Sequence, residues 1–62
     1  MKNKILELRK SKGFTQDELA KKCNVTRQTI NAIENDRYDP TLRLAFKIAA
    51  ILGTTVDNLF KQ

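Results

Sequence analysis

Two threonines, Thr15 and Thr26, each open the same short pattern, and the little chain left between them constrains the fold more than anything else in the sequence. Thr15-Gln16-Asp17-Glu18 has the spacing of a capping box: the threonine hydroxyl takes the Glu18 amide, and the Glu18 carboxylate returns to the Thr15 amide. Phe14 before it and Leu19 after it have the spacing of a hydrophobic staple. Val25, Thr26 and Ile30 repeat that arrangement. The pattern predicts a helix from Gln16 to about Lys22, with Leu19, Ala20 and Cys23 inward, and another that starts after Thr26. Cys23 to Val25 is then a turn. Asn24 within it is one of the few non-glycine residues that readily visits positive φ.

The rest of the chain is punctuated in the same way. Asn3 is placed to cap a first helix running to about Lys12, with Ile5 and Leu8 toward the core and Leu6 beside them. Gly13 fits the left-handed position that ends helices, and Phe14 follows it, placed to pack back over Leu8. Asp36 to Pro40 interrupts the third helix. A fourth begins near Thr41 and runs to about Leu52, with Leu42, Ala45, Ile48, Ala49 and Leu52 on one stripe. Gly53 ends it, and Thr55 caps a last short turn carrying Val56, Leu59 and Phe60. No segment alternates apolar and polar residues as a strand would. With 40% hydrophobic and 31% charged residues in 62, the composition is that of one small globular domain over residues 1–62.

Several functions are disfavoured at once. The longest apolar run, Ile48 to Leu52, is far short of the ~20 residues that span a bilayer. No secretory leader is visible, so a cytoplasmic location is expected. One cysteine and no histidine leave no internal disulfide, no Cys/His metal site and little means for catalysis. Cys23 reads as a small buried hydrophobe. Asp17 and Glu18 are adjacent carboxylates, but the first turn of a helix already accounts for them. Neither an enzyme nor a cofactor is expected. A net charge of +5 and a pI near 9.7 favour a polyanionic partner.

The third helix, about residues 27–35, has its charge at the wrong end. Arg27 stands in its first turn, where the helix dipole disfavours a cation by roughly 0.3–1 kcal/mol. Gln28, Asn31, Ala32 and Asn35 fall on the side away from Ile30 and Ile33, with Arg27 and Thr29 on the flanks. A merely solubilising face would carry Lys and Glu pairs instead. Arginine can donate two bonds to guanine O6 and N7, and Gln or Asn can pair with adenine N6 and N7. The methyl groups of Thr and Ala can touch that of thymine. A short helix led by this set is suited to a major groove.

With both threonine units included, TQDELAKKCNVTRQTINAIEN, residues 15–35, resembles the phage repressor and Cro-like, or Xre-type, family of helix-turn-helix regulators. The matching positions are Gln16, Leu19, Ala20, Val25, Ile30 and Glu34. YDPTLRLAFKIAAILGTTVDNLF is similar to the family's fourth and fifth helices. The resemblance implies an all-α, compact five-helix domain like that of lambda repressor, with the helix-turn-helix at its second and third helices. It implies sequence-specific binding of double-stranded DNA by a small transcriptional regulator, a repressor, at the nucleoid. Carried over by position, Arg27, Gln28, Thr29 and Asn31 would read bases. Thr15, Gln16, Thr26, Asn35, Arg37 and Tyr38 would hold phosphates and fix the register. Arg9 and Glu34 match a salt bridge between the first and third helices, and Ala20 would be small because helices two and three cross there.

The chain departs from the family's pattern at Asn24 and Asp36, where glycine is common. Both positions need a left-handed residue, so Asp36→Gly is expected to stabilise by a few tenths to about 1 kcal/mol. One recognition helix covers too few base pairs, so a homodimer on a palindromic operator is expected, with helices about 34 Å apart. Leu44, Ile51 and Phe60 are candidates for its interface or extensions of the core. No ligand-binding or cleavage domain, and hence no small-molecule effector, is expected. The resemblance also implies an alternative, since some proteins of this fold act as antitoxins or bind other regulators: a protein-binding module, with DNA binding secondary. A tight protein complex beside weak, sequence-blind DNA binding would mark that alternative.

Overall fold

Four of the five helices begin on a threonine. In the computed structural model, which describes residues 2–60, the elements are α1 (Ile5–Lys12), α2 (Gln16–Cys23), α3 (Arg27–Glu34), α4 (Leu42–Ile51) and α5 (Val56–Leu59). Thr15, Thr26, Thr41 and Thr55 each sit in extended backbone, and each accepts a bond from the amide three residues on. That satisfies one of the amides a helix start leaves without a partner. At α2 the box is complete, with Glu18 N donating to Thr15 Oγ1 at 3.0 Å and Thr15 N donating to Glu18 Oε1 at 2.9 Å.

The start of α1 differs from the expectation. Lys4, not Asn3, is the capping residue, and its side chain makes no cap. Asn3 stands one place further out, where its Oδ1 accepts from Ile5 N at 3.0 Å. Lys4 N donates to Leu59 O at 2.9 Å, and Asn3 forms an isolated antiparallel bridge with Phe60. The beginning of the described chain is thus stitched to the end of α5. A single bridge is too short to leave an alternating pattern in the sequence.

Turns follow from residues that tolerate the left-handed region. Asn24 (φ 59°) lets α2 stop and α3 leave at an angle, and Asp36 (φ 60°) does the same after α3. Between the helices lies a core of Ile5, Leu19, Ile30, Ile33, Ile48, Leu52 and Leu59, with Ala20, Cys23, Ala45 and Ala49 filling the closer approaches. Each large side chain buried there stabilises by about 1.5–3 kcal/mol. α2 packs on both α3 and α4, so the helix-turn-helix is backed by the long fourth helix.

Leu42 overturns its place on the inward stripe: it is 68% exposed. Its angle around α4 is right, but its height is wrong. It is the first residue of the helix, and the stripe goes under cover only from Ala45 onward. Leu8 is half-buried at the rim, packed against the core from outside. Leu44, Ile51 and Phe60 likewise pack against the core and keep only part of their surface in solvent. The apolar side chain that α4 projects most freely, beside Leu42, is Phe46 at 59% exposure.

Candidate nucleic-acid interface

α3 enters the surface from the Thr26 cap with no acidic residue in its first turn. Thr29 N donates to Thr26 Oγ1 at 3.2 Å, and the two hydroxyls lie 3.0 Å apart. The first turn is therefore held together by hydroxyls, and the positive end of the helix is left uncompensated. Ile30 and Ile33 are buried, which turns Arg27, Gln28 and Asn31 outward; these three line one shallow hollow of about 230 Å³. Thr29 does not join them. It is half-buried, its hydroxyl is engaged at the cap, and it lines a different hollow of about 350 Å³ facing α4.

The residues assigned to phosphates have unequal freedom. Thr15, Thr26, Asn35, Arg37 and Tyr38 are exposed. The hydroxyls of Thr15 and Thr26 already accept helix amides, and Asn35 Nδ2 donates back to Asn31 O at 2.9 Å. Gln16 is half-buried, with Nε2 donating to Glu34 Oε2 at 2.8 Å and Oε1 accepting from Asn31 Nδ2 at 3.3 Å. One N–H of its carboxamide remains for an outside acceptor.

Beneath this surface lies an ion pair. Arg9 Nε donates to Glu34 Oε1 at 3.0 Å and Nη2 to Oε2 at 3.2 Å, while Nη1 donates to Phe14 O at 3.0 Å. The two side chains are 10% and 8% exposed. The carboxylate near the C-terminal end of α3 is thus joined to α1 through Arg9 and to the start of α2 through Gln16. Among the described residues no buried side-chain nitrogen or oxygen lacks a partner, as a buried ion pair requires.

Sequence reasoning passed over two cations. Arg43 and Lys47 line the larger hollow with Thr29, Tyr38, Val25 and Cys23. Arg43 carried a readable signal, the same one as Arg27: a cation in the first turn of a threonine-capped helix with no acid. Cys23 forms part of the lining of that hollow. Burial pushes its thiol pKa up, partly opposed by the Lys47 ammonium, so it stays protonated and packs as a hydrophobe. Among the described residues no helix is long and apolar enough to cross a membrane.

A family model described as helix-turn-helix matches residues 5–59. The chain belongs to the Xre-type helix-turn-helix family. It is 52% identical over 60 residues to an uncharacterized HTH-type transcriptional regulator of Methanocaldococcus jannaschii, a match that covers 97% of this chain and 91% of that one. It is 40% identical to the immunity repressor protein of Bacillus phage phi105 over 56 residues, 90% of this chain and 39% of that protein. A crystal structure of SinR, the master regulator for biofilm formation, in complex with DNA superimposes with a TM-score of 0.78 at 31% identity, covering 86% of each chain. This Xre-type chain is a transcriptional regulator with a helix-turn-helix DNA-binding fold. Its relatives and its fold are those of DNA-binding regulators rather than of enzymes.

Proposed function

We propose that residues 1–62 act as one DNA-binding domain, that α3 lies in the major groove, and that the protein represses transcription as a homodimer on a palindromic operator. Arg27, Gln28 and Asn31 read base edges, with Thr29 contributing its methyl group at the flank. Thr15, Gln16, Thr26, Asn35, Arg37 and Tyr38 hold phosphates, and Arg43 joins them from the start of α4. One observation carries the reading: α3 buries Ile30 and Ile33 and exposes an arginine and two amides, Arg27, Gln28 and Asn31, on a face whose first turn holds no carboxylate. SinR, whose fold this chain shares, has been crystallised with DNA. The two copies meet through the α4–α5 surface, around the half-buried Phe60 and the projecting Leu42 and Phe46, while Leu44 and Ile51, on the opposite flank of α4, extend the core. No small-molecule ligand or cofactor enters this scheme, and the protein works in the cytoplasm at the nucleoid.

Selection of binding sites from random duplexes tests this directly. The expected result is a palindrome whose half-sites are centred one helical turn, about 34 Å, apart. Binding with no sequence preference would overturn the proposed reading. A preferred site without symmetry would leave α3 as the reader and remove the dimer.

A further inference from the structure

The hydrogen bonds beneath α3 run in one direction, and that direction starts from a group with a single option. Glu34 carries an ionised carboxylate held by Arg9, and a carboxylate only accepts. The end of the Gln16 carboxamide that meets it at 2.8 Å is therefore the amino end. The Gln16 carbonyl oxygen is then turned away, and it faces Asn31. That oxygen cannot donate either, so Asn31 must present its own amino group to it, at 3.3 Å. The nitrogen and oxygen ends of an amide are assigned by their partners. Here the two assignments are linked, and both trace back to Glu34.

We infer that this relay from Glu34 through Gln16 fixes which way the Asn31 carboxamide faces, making Gln16 and Glu34 specificity-determining for the base pair that Asn31 reads. The inference rests on the proposed reading of bases by α3. The last torsion of an asparagine is broad and roughly two-fold, so an untethered carboxamide turns over easily. After donating one N–H to Gln16, Asn31 keeps one N–H and its oxygen, the pair that matches adenine N7 and N6. Turned over, the same group would offer donor and acceptor in the reverse order across the groove and meet an adenine on the other strand. With the relay in place only one order is offered, so A·T is told from T·A. Gln16 and Glu34 act through Asn31 and are positioning residues.

The test measures affinity for duplexes carrying each of the four base pairs at every position of the selected operator. Asn31→Ala first identifies the position that Asn31 reads. Gln16→Met keeps the length of the side chain and the Arg9–Glu34 pair but removes the relay. At the Asn31 position it is expected to reduce an A·T to T·A discrimination of about tenfold or more to less than about threefold. Positions that respond to Gln28→Ala should keep their preferences. The exchange Gln16→Glu with Glu34→Gln restores an acceptor facing Asn31 and a partner for Arg9. It is expected to recover the discrimination even where the added carboxylate weakens binding overall. Circular dichroism melts establish that each variant is folded at the assay temperature.

The inference is overturned if Gln16→Met weakens all duplexes by one factor with discrimination intact, since Gln16 would then hold a phosphate and nothing more. A folded exchange variant without restored discrimination overturns it as well. If Asn31→Ala alters no preference at any position, the base-reading role fails first and the relay falls with it.

Discussion

The first turns of α2 and α3 are built on the same residue and filled with opposite charge. Behind Thr15 stand Gln16, Asp17 and Glu18; behind Thr26 stand Arg27, Gln28 and Thr29. In α2 the third place holds Glu18, whose carboxylate returns to the cap and completes the box. In α3 the same place holds Thr29, whose hydroxyl meets the cap hydroxyl. One helix start is closed on itself and carries the acids its dipole favours. The other keeps its cap and has no acid in its first turn, so its positive end has no carboxylate beside it. On the proposed function, the difference separates the helix that supports from the helix that reads. The carboxylate that α3 does possess, Glu34, lies near its far end and ties it to α1 and α2.

That last tie gives the largest expected effect. Glu34→Ala would leave the Arg9 guanidinium buried without its carboxylate and take the acceptor from Gln16. A loss of about 3–5 kcal/mol in urea unfolding is expected. A loss below about 1 kcal/mol would mean that the junction of α2 and α3 does not depend on the ion pair.

The two helices also differ in how they end, and a smaller effect follows. Asn24 and Asp36 both occupy the left-handed region, but Asp36 Oδ1 accepts from Asn3 Nδ2 at 3.1 Å. Asn24→Gly relieves the backbone and is expected to stabilise by roughly 0.5 kcal/mol. Asp36→Gly gives up the bond from Asn3, so its gain should be smaller. Parallel urea titrations of the two variants compare them, and a larger gain at Asp36 would refute the ordering.

The smallest effect lies in the capping box of α2. The Thr15 amide, and then its side chain, hold the Glu18 carboxyl below its ordinary pKa. A carboxylate with a depressed folded pKa stabilises fully above the ordinary carboxylate range and loses that contribution as the pH falls through and below it. Glutamine at the same place also fills a capping box but does not titrate. The melting-temperature advantage of the parent over Glu18→Gln should therefore shrink in acid. An advantage independent of pH would show that the charge of Glu18 does not matter there. At α3, which has no acid in its first turn, no such dependence arises from the cap.

The sequence made this contrast legible because caps and staples are local: a threonine, an acid three residues later and an apolar pair around them depend on nothing distant. The left-handed turn at Asn24 was readable for the same reason, whereas that at Asp36 came from the family resemblance, in which glycine is common there. What stayed hidden depends on where elements meet. Leu42 has the angular position of a core residue and fails on height along α4, which periodicity does not encode. The bridge from Asn3 to Phe60 joins the two ends of the described chain. Arg9 and Glu34 are 25 residues apart, and only a family resemblance linked them. At the candidate site, the outward direction of Gln28 and Asn31 came from helix geometry. The withdrawal of Thr29 toward α4 and the tie between Gln16 and Asn31 required the packed structure.

The central claim is that α3 accepts an unfavourable charge in its first turn because that end faces DNA. Arg27→Glu tests it by two readings on one variant, unfolding free energy and affinity for the selected operator. The account predicts that the protein becomes more stable by about 0.5–2 kcal/mol, as an unfavourable cation gives way to a favourable anion. It predicts that operator binding weakens by at least about 1–3 kcal/mol. Unchanged operator affinity in the folded variant would contradict it.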